Sequence, residues 1–182
     1  MTVLETERLI LRDYIESDFQ DLHRLLSDKK TMYFLDDIAT DTPEESAKNL
    51  AYSIANADGR YFCIRDKIND VYIGSIGYTI AGRTPFGKIV HLGYFLLPEH
   101  HRRGYAAEAA KRVIRFAFEE DGCIRVTTGC YKDNEPSRKV MEKAGFRKEG
   151  ERVKARYHDG AMKDRLEYAI NIDEYMIANH IP

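Results

Sequence analysis

The chain has 182 residues, of which 43% are hydrophobic and 32% are charged, a balance typical of one globular domain. Lys and Arg number 28 against 30 Asp and Glu, and the formal net charge of −2 excludes the basic surplus of a general nucleic-acid-binding protein. No stretch has the length and apolarity of a membrane span, and charges interrupt the N-terminal segment where a signal peptide would be apolar. We therefore expect one domain over residues 1–182, with no direct nucleic-acid contact and no membrane association.

Cysteine usage indicates a reducing compartment. The three cysteines are odd in number and form neither a CxxC pair nor a metal-ligand spacing with histidine: Cys63, Cys123 and Cys130. A disulfide framework is therefore not expected, and no metal site is predicted. The sequence is interpreted as that of a cytoplasmic protein.

The first sixty residues predict one strand and two helices. Residues 3–14 alternate loosely between apolar and charged side chains, which favours a strand. Residues 17–20 have the pattern of a capping box and precede apolar residues at helical spacing. Thr42, followed by Pro43 and by Glu45, is the typical start of a second helix with Thr42 as its N-cap.

After residue 60 the apolar period changes to two. Three strands are predicted over 61–65, 71–80 and 89–97, joined as a meander. The alanine-rich stretch after Gly104 carries charged and small apolar residues on different faces, as in a helix packed against a core.

The last third predicts a strand over 123–131, a helix over 136–144 ended by Gly145, and a hairpin of strands 146–156 and 163–172. The predicted order is β-α-α-β-β-β-α-β-α-β-β. This order indicates an α+β fold with a mostly antiparallel mixed sheet of about six to seven strands flanked by helices. The strand-helix-strand run from 89 to 131 implies one parallel pair in the sheet.

The clearest candidate for a binding site follows the strand that ends before Pro98. A basic loop of residues 100–103, with the sequence His-His-Arg-Arg, leads to Gly104 and the alanine-rich helix. A helix N-terminus offers unpaired N–H groups and the positive end of the helix dipole, and the adjacent cations suit a diphosphate. The same residues also fit a solvated loop in which Gly104 only helps the chain to turn.

A second pattern spans residues 134–146. Asn134 is suited to cap a short helix, and Gly145 is suited to end it in the left-handed conformation. That explanation needs no ligand, but it leaves Ser137 without a role.

Both patterns together resemble the signatures of the GCN5-related N-acetyltransferase (GNAT) superfamily. Its acetyl-CoA loop, Gln/Arg-x-x-Gly-x-Gly/Ala, is matched by residues 101–106, with His101 in place of the usual Gln or Arg, and its Asn-x-x-Ser and Gly-Phe elements by residues 134–146. The run 7–12, the Gly93-Tyr94 dipeptide and the run 104–109 are similar to the RimJ/RimL branch, which acetylates the α-amines of ribosomal proteins. The resemblance covers nearly the whole chain.

The resemblance implies direct acetyl transfer from acetyl-CoA to a primary amine, without an acyl-enzyme. It also implies that the strand ending at Leu97 pairs with the pantetheine arm and that a main-chain N–H near Leu96 polarises the thioester carbonyl. The implied acetyl-CoA-binding residues are Leu96, Leu97, Arg102, Arg103, Gly104, Tyr105, Ala106, Ala107, Asn134 and Ser137.

Two catalytic residues follow from the resemblance as hypotheses. Relatives often protonate the leaving thiolate from a Tyr, but this chain has Met141 at that position, so the role passes to Ser137. His91 stands where RimL-like sequences tend to carry Glu, and an imidazole with a pKa of about 6.5 can accept a proton. The alternatives are a Ser137 hydroxyl bonded within its helical turn or to CoA, and a purely structural His91.

An acidic stretch predicts where the amine binds. Residues 31–47 hold five acids and no Lys or Arg, and Asp36 and Asp37 are the candidate substrate-binding residues. The alternative is an exposed loop with helix-capping acids, which already accounts for Glu44 and Glu45.

The preferred acceptor is a ribosomal protein N-terminus, and the protein is expected to be a monomer or homodimer. Two other readings stay open: an acetyltransferase for small amines such as polyamines or antibiotics, and a non-catalytic acyl-CoA-binding sensor of the same fold.

Overall fold

A computed structural model of the chain describes residues 1–35 and 38–181, which form a mixed α+β fold. The described part contains eight strands and five α-helices. In chain order these are β1 (Val3–Glu5), β2 (Leu9–Asp13), α1 (Phe19–Ser27), α2 (Pro43–Ala55), β3 (Gly59–Asp66), β4 (Tyr72–Thr84), β5 (Gly87–Leu96), α3 (Tyr105–Glu119), β6 (Cys123–Tyr131), α4 (Glu135–Ala144), β7 (Arg147–His158), β8 (Ala161–Asn171) and α5 (Ile172–Ala178). Among the described helices, none is long and apolar enough to cross a membrane.

The strands form one sheet in the order β1-β2-β3-β4-β5-β6-β8-β7. The pairs β1–β2, β2–β3, β3–β4, β6–β8 and β7–β8 are antiparallel. Strands β5 and β6 are parallel, with a register that runs from Lys88 opposite Cys123 to His91 opposite Thr127. The predicted α+β class, the mostly antiparallel sheet and the parallel pair are confirmed.

The structure has more strands than the predicted six to seven because the strand expected over residues 3–14 is a hairpin. Thr6 makes the turn: its N–H donates to the Leu9 carbonyl at 3.0 Å, and its hydroxyl oxygen accepts from the Leu9 N–H at 2.8 Å. Helix α5 was not predicted either. It begins at Ile172, where Glu174 closes a capping box with Asn171, so the last strand ends one residue before its expected end.

The two predicted helix starts have different outcomes. For α2 the capping box is present, with the Thr42 hydroxyl accepting from the Glu45 N–H at 3.2 Å. The box expected over residues 17–20 was wrong. There the Asp18 carboxylate accepts from the Ile15 N–H at 2.9 Å and from both terminal nitrogens of Arg12 at 2.7 Å, and α1 begins at Phe19.

The chain divides into two compact units. The first unit comprises Met1–Thr79 and Gly93–Val113, and the second comprises Ile80–Leu92 and Ile114–Pro182. The core of the first unit packs apolar residues of α1 and α2 against its strands, namely Tyr14, Leu22, Leu25, Leu26, Met32, Leu50, Cys63, Tyr72 and Leu97. In the second unit the fully buried residues include Val90, Val126, Met141 and Ala169. A single domain over residues 1–182 stays a prediction.

Candidate active site

In the first unit, the segment between β5 and α3 is tightly turned. A 3-10 turn over Pro98–His100 follows the strand, and the chain then takes left-handed φ values of 60° at Arg102 and 84° at Gly104. The His101 Nε2 atom donates to the Leu96 carbonyl at 2.9 Å. His101, which replaces the usual Gln or Arg of the motif, therefore connects the basic loop to the end of β5.

The main chain of Leu97 is already engaged. Its N–H donates to the Ile73 carbonyl at 3.0 Å, and its carbonyl accepts from the His100 N–H at 2.9 Å. The Leu96 carbonyl is likewise held by His101. The Leu97 side chain is buried in the core of the first unit, and a role of Leu97 in acetyl-CoA binding stays a prediction.

Helix α3 begins directly after the basic loop, and its first intrahelical bond runs from the Glu108 N–H to the Gly104 carbonyl at 3.1 Å. The side chains of Arg102 and Arg103 are exposed. The N–H groups of the first turn of an α-helix have no acceptor within the helix. Within this turn Ala106 is half-buried, and Tyr105 and Ala107 are buried.

A second contact to this loop comes from Arg8, in the turn between β1 and β2. Arg8 donates from Nε to the Glu108 carboxylate at 2.8 Å, from Nη2 at 2.6 Å and from its main-chain N–H at 3.0 Å. Its Nη1 donates to the Arg103 carbonyl at 3.0 Å, and its guanidinium lies 4.6 Å from the centre of the Tyr105 ring. Sequence reasoning assigned no role to Arg8 or Glu108 because the two lie 100 positions apart.

Glu108 is ionised in this setting. Burial favours its neutral form, but the hydrogen bond from the Thr6 hydroxyl, at 2.6 Å, and those from Arg8 hold the pKa of the carboxyl below its usual range. The carboxylate is therefore a charged acceptor whose charge is balanced by Arg8.

In the second unit, Asn134 caps α4 as predicted. Its side-chain oxygen accepts from the Ser137 N–H at 3.2 Å, and Gly145 ends the helix with a φ of 95°. The Ser137 hydroxyl also hydrogen-bonds the thiol of Cys130 on β6. Burial raises the pKa of Cys130 to about 11, and the bond to Ser137 opposes that rise. Met141, on the same helix, is fully buried.

His91 lies on β5 in the second unit with a defined tautomer. Its Nδ1 atom is 3.1 Å from the hydroxyl oxygen of Thr127, and that hydroxyl donates to the Val90 carbonyl at 3.0 Å. Because a hydroxyl has one hydrogen, Thr127 accepts from Nδ1–H, and the lone pair of neutral His91 is on Nε2. Burial lowers the pKa of His91, assisted by Arg165 and opposed by Glu167.

Arg165 and Glu167 are further candidates that the sequence did not single out. Both are on β8, and Glu167 lies opposite Gly129 of β6. A Cβ atom on Gly129 would lie 3.2 Å from Glu167 Oε2 and 3.4 Å from Arg165 Nη2, so both side chains reach over this glycine. A glycine inside a strand is the sequence signal that could have indicated such an approach.

The structure thus gathers the predicted residues into separate groups. Leu96, Leu97 and residues 102–107 belong to the first unit, whereas His91, Asn134 and Ser137 belong to the second.

The predicted substrate-binding residues Asp36 and Asp37 lie outside the described residues. Of the neighbouring acids, Glu45 accepts from the N–H groups of Asp41 and Thr42 and so serves the start of α2. Within residues 1–35 and 38–181, no His, Cys, Asp and Glu side chains group to hold a metal ion.

Comparison with known proteins identifies the class. The family profile described as the acetyltransferase (GNAT) domain matches residues 8–147. The chain therefore belongs to the GNAT family and is an N-acetyltransferase.

Among individual proteins, the chain is 29% identical over 171 residues to the uncharacterized N-acetyltransferase YoaA of Bacillus subtilis (strain 168), covering 92% of this chain and 96% of that protein. Two solved structures share the fold with a TM-score of 0.83. One is RimL, the ribosomal L7/L12 α-N-protein acetyltransferase, in complex with CoA, with 23% identity over 95% of this chain and 99% of that chain. The other is spermidine N-acetyltransferase from Vibrio cholerae in complex with CoA and spermine, with 19% identity over 94% of this chain and 99% of that chain.

Proposed function

We propose that this chain binds acetyl-CoA and transfers its acetyl group to a primary amine, with the N-terminal α-amine of a ribosomal protein as the preferred acceptor. The observation that carries the proposal is the start of α3, where the exposed side chains of Arg102 and Arg103 adjoin Gly104 and the N-terminus of the helix. N–H groups, the helix dipole and two guanidinium groups together favour a diphosphate. The CoA present in both structural relatives supports this choice of donor.

The proposed reaction forms a C–N bond and breaks the thioester C–S bond. The amine must lose a proton, the carbonyl oxygen must be stabilised while it carries negative charge, and the thiolate must gain a proton. We propose that a main-chain N–H near Leu96 stabilises the negatively charged oxygen. We propose that the Ser137 hydroxyl gives a proton to the thiolate. The half-buried position of Ser137 at the start of α4 fits this role, and Met141 has no proton to give.

His91 is the proposed general base. The Nδ1–H bond to Thr127 leaves Nε2 free to accept the proton of the attacking amine, directly or through a water molecule. A neutral α-amine is readily available because its pKa is about 8, whereas that of a lysine is about 10.4. Because imidazole is a weak base, the amine with the lower pKa, an N-terminal α-amine, is the favoured acceptor.

The acidic side chains supply the attraction for a cationic amine. Glu167 acts on His91 electrostatically, and its carboxylate lies over Gly129. The predicted roles of Asp36 and Asp37 in acceptor binding are part of the same proposal. We also propose a cytoplasmic location, which the three buried cysteine thiols support.

A small amine is the second candidate acceptor. The likeness to the spermidine acetyltransferase favours it as much as the likeness to RimL favours a protein N-terminus, since each gives a TM-score of 0.83. The difference in acceptor therefore needs an experiment rather than a comparison of folds.

Release of free CoA from acetyl-CoA tests the proposal. The purified protein is assayed with peptides that carry the N-termini of ribosomal proteins, with the same peptides blocked by N-formylation, and with a polyamine panel. We expect turnover with the free N-termini and none with the blocked peptides. Turnover with polyamines alone would show that the acceptor is a small amine rather than a protein N-terminus. Binding of CoA without turnover on any amine would contradict the enzymatic proposal and favour an acyl-CoA sensor.

A further inference from the structure

We propose that Arg8 and Glu108 are positioning residues that hold the basic loop in the conformation that binds the diphosphate of acetyl-CoA. The inference rests on the proposed acetyl-CoA binding. Neither side chain needs to touch the ligand, because both act through the main chain between Arg103 and the first turn of α3.

The first argument is the orientation of one peptide group. Arg8 Nη1 holds the Arg103 carbonyl at 3.0 Å. The peptide from Arg103 to Gly104 is trans, and in a trans peptide the C=O and the following N–H point in opposite directions. By fixing the carbonyl on the side of Arg8, this bond turns the Gly104 N–H to the other side of the loop. It also restrains Gly104, the residue with the least intrinsic conformational preference in this segment.

The second argument is charge. Glu108 is in the first turn of α3, and an unpaired carboxylate there would repel a bound diphosphate. The carboxylate accepts from Thr6 and from Arg8, so its negative charge is balanced. The Glu108 side chain is 19% exposed, which leaves it little screening by water if its partner is removed.

The third argument is the shape of the side chain. Arg8 uses Nε and Nη2 for Glu108 and Nη1 for Arg103, so three nitrogens of one planar group serve two acceptors. A lysine has a single ammonium group and does not reproduce this fork. The guanidinium also packs on the ring of Tyr105, the first residue of α3.

The test compares two ligands that differ in the diphosphate. Dissociation constants are measured for CoA by calorimetry and for pantetheine, which has no diphosphate, by ligand titration in NMR. The variants are Arg8→Ala and Arg8→Lys. Arg115→Ala is the matched control because it also removes an arginine paired with a glutamate on α3, here the exposed pair with Glu119. Thermal unfolding confirms that each variant is folded.

We expect the Kd for CoA to rise about tenfold in Arg8→Lys, which loses the fork that holds both Glu108 and the Arg103 carbonyl. The rise should be larger in Arg8→Ala, which also leaves the charge of Glu108 unbalanced. The Kd for pantetheine should change less than about twofold, and Arg115→Ala should bind both ligands as the wild type does. An unchanged Kd for CoA in a folded Arg8 variant would overturn the inference, as would an equal loss for both ligands, which indicates a purely structural role. If the wild-type protein bound no CoA, the proposed function itself would fail.

Discussion

At the scale of single residues, His91 is a neutral imidazole held in one tautomer. Thr127 accepts from Nδ1–H, and burial lowers the pKa of the ring below its ordinary value of 6.5, with Arg165 acting in the same direction and Glu167 against it. The folded protein therefore binds this proton less readily than the unfolded chain does. The contribution of His91 to stability is complete above pH 6.5 and decreases as the pH falls towards the lowered pKa.

The same shift predicts the pH dependence of catalysis. We expect kcat at saturating substrates to be constant near neutral pH and to fall on acidification below 6.5, because protonation removes the Nε2 lone pair. His91→Gln should lower kcat by about 100-fold and abolish this acidic limb. His180→Gln, which changes an exposed histidine near the C-terminal end, should keep the wild-type profile. A His91→Gln enzyme with the full acidic limb would refute the role of His91 as base.

Ser137 gives a second test at this scale. If its hydroxyl protonates the thiolate, Ser137→Ala should lower kcat by about 100-fold while the Kd for CoA changes less than about twofold. A weaker affinity with unchanged kcat would instead mean that the hydroxyl only binds CoA. The variant should also slow alkylation of Cys130, since the bond that opposes the raised thiol pKa is lost. Ser53→Ala is the control, because the Ser53 hydroxyl donates to the Asn49 carbonyl of its own helix.

At the scale of elements, the close approach of β4 and β5 in the first unit depends on Gly74. A Cβ on Gly74 of β4 would lie 2.4 Å from the Phe95 carbonyl oxygen and 2.7 Å from the Leu96 Cα. Those atoms are main chain, so they cannot rotate away as a side-chain end can. Gly74 thereby allows β5 to approach at the point where the candidate site begins.

We expect Gly74→Ala to lower the free energy of unfolding by about 3 kcal/mol, since the strands must separate to admit the methyl group. Gly93→Ala on β5 is the matched control because, apart from its chain neighbours, no atom of the described residues lies within 4 Å of its added Cβ. Its stability should stay within about 1 kcal/mol of the wild type. Urea unfolding measures both, and equal stabilities for the two variants would contradict the steric argument.

At the scale of the whole molecule, the two compact units share continuous elements. Strands β4 and β5 and helix α3 each contribute residues to both units, and the family profile over residues 8–147 includes segments of both. Each unit also encloses cysteines, with Cys63 in the first and Cys123 and Cys130 in the second. The thiols therefore report on the integrity of the two units.

We expect the native thiols to resist alkylation by iodoacetamide at pH 8. Burial raises the pKa of Cys63 to about 12 and that of Cys130 to about 11, so little thiolate forms at this pH. All three cysteines should become labelled in urea, as quantified by peptide mass spectrometry. Rapid labelling of Cys63 in native buffer would show that the first unit opens under these conditions.

Prediction from the sequence succeeded where the physical cause is local. The caps at Thr42 and Asn134 and the terminator Gly145 need only backbone groups within a few positions, and all three have the predicted geometry. The box over residues 17–20 failed because a 3-10 turn already begins at Glu16, and Asp18 accepts from the Ile15 N–H within that turn. Arg12, on the preceding strand, holds the same carboxylate, a contact that the local pattern does not reveal.

The family, the order of most elements and the two segments proposed to carry the site could be inferred from the sequence, because each depends on short runs of residues. The groups that support those segments became visible only in the folded chain. Arg8 reaches Glu108 across 100 positions, and Thr127 selects the tautomer of His91 across 36. Such contacts depend on strand register and on the path of the chain, and a hydrogen bond forms only when both bring its donor and acceptor within about 3 Å.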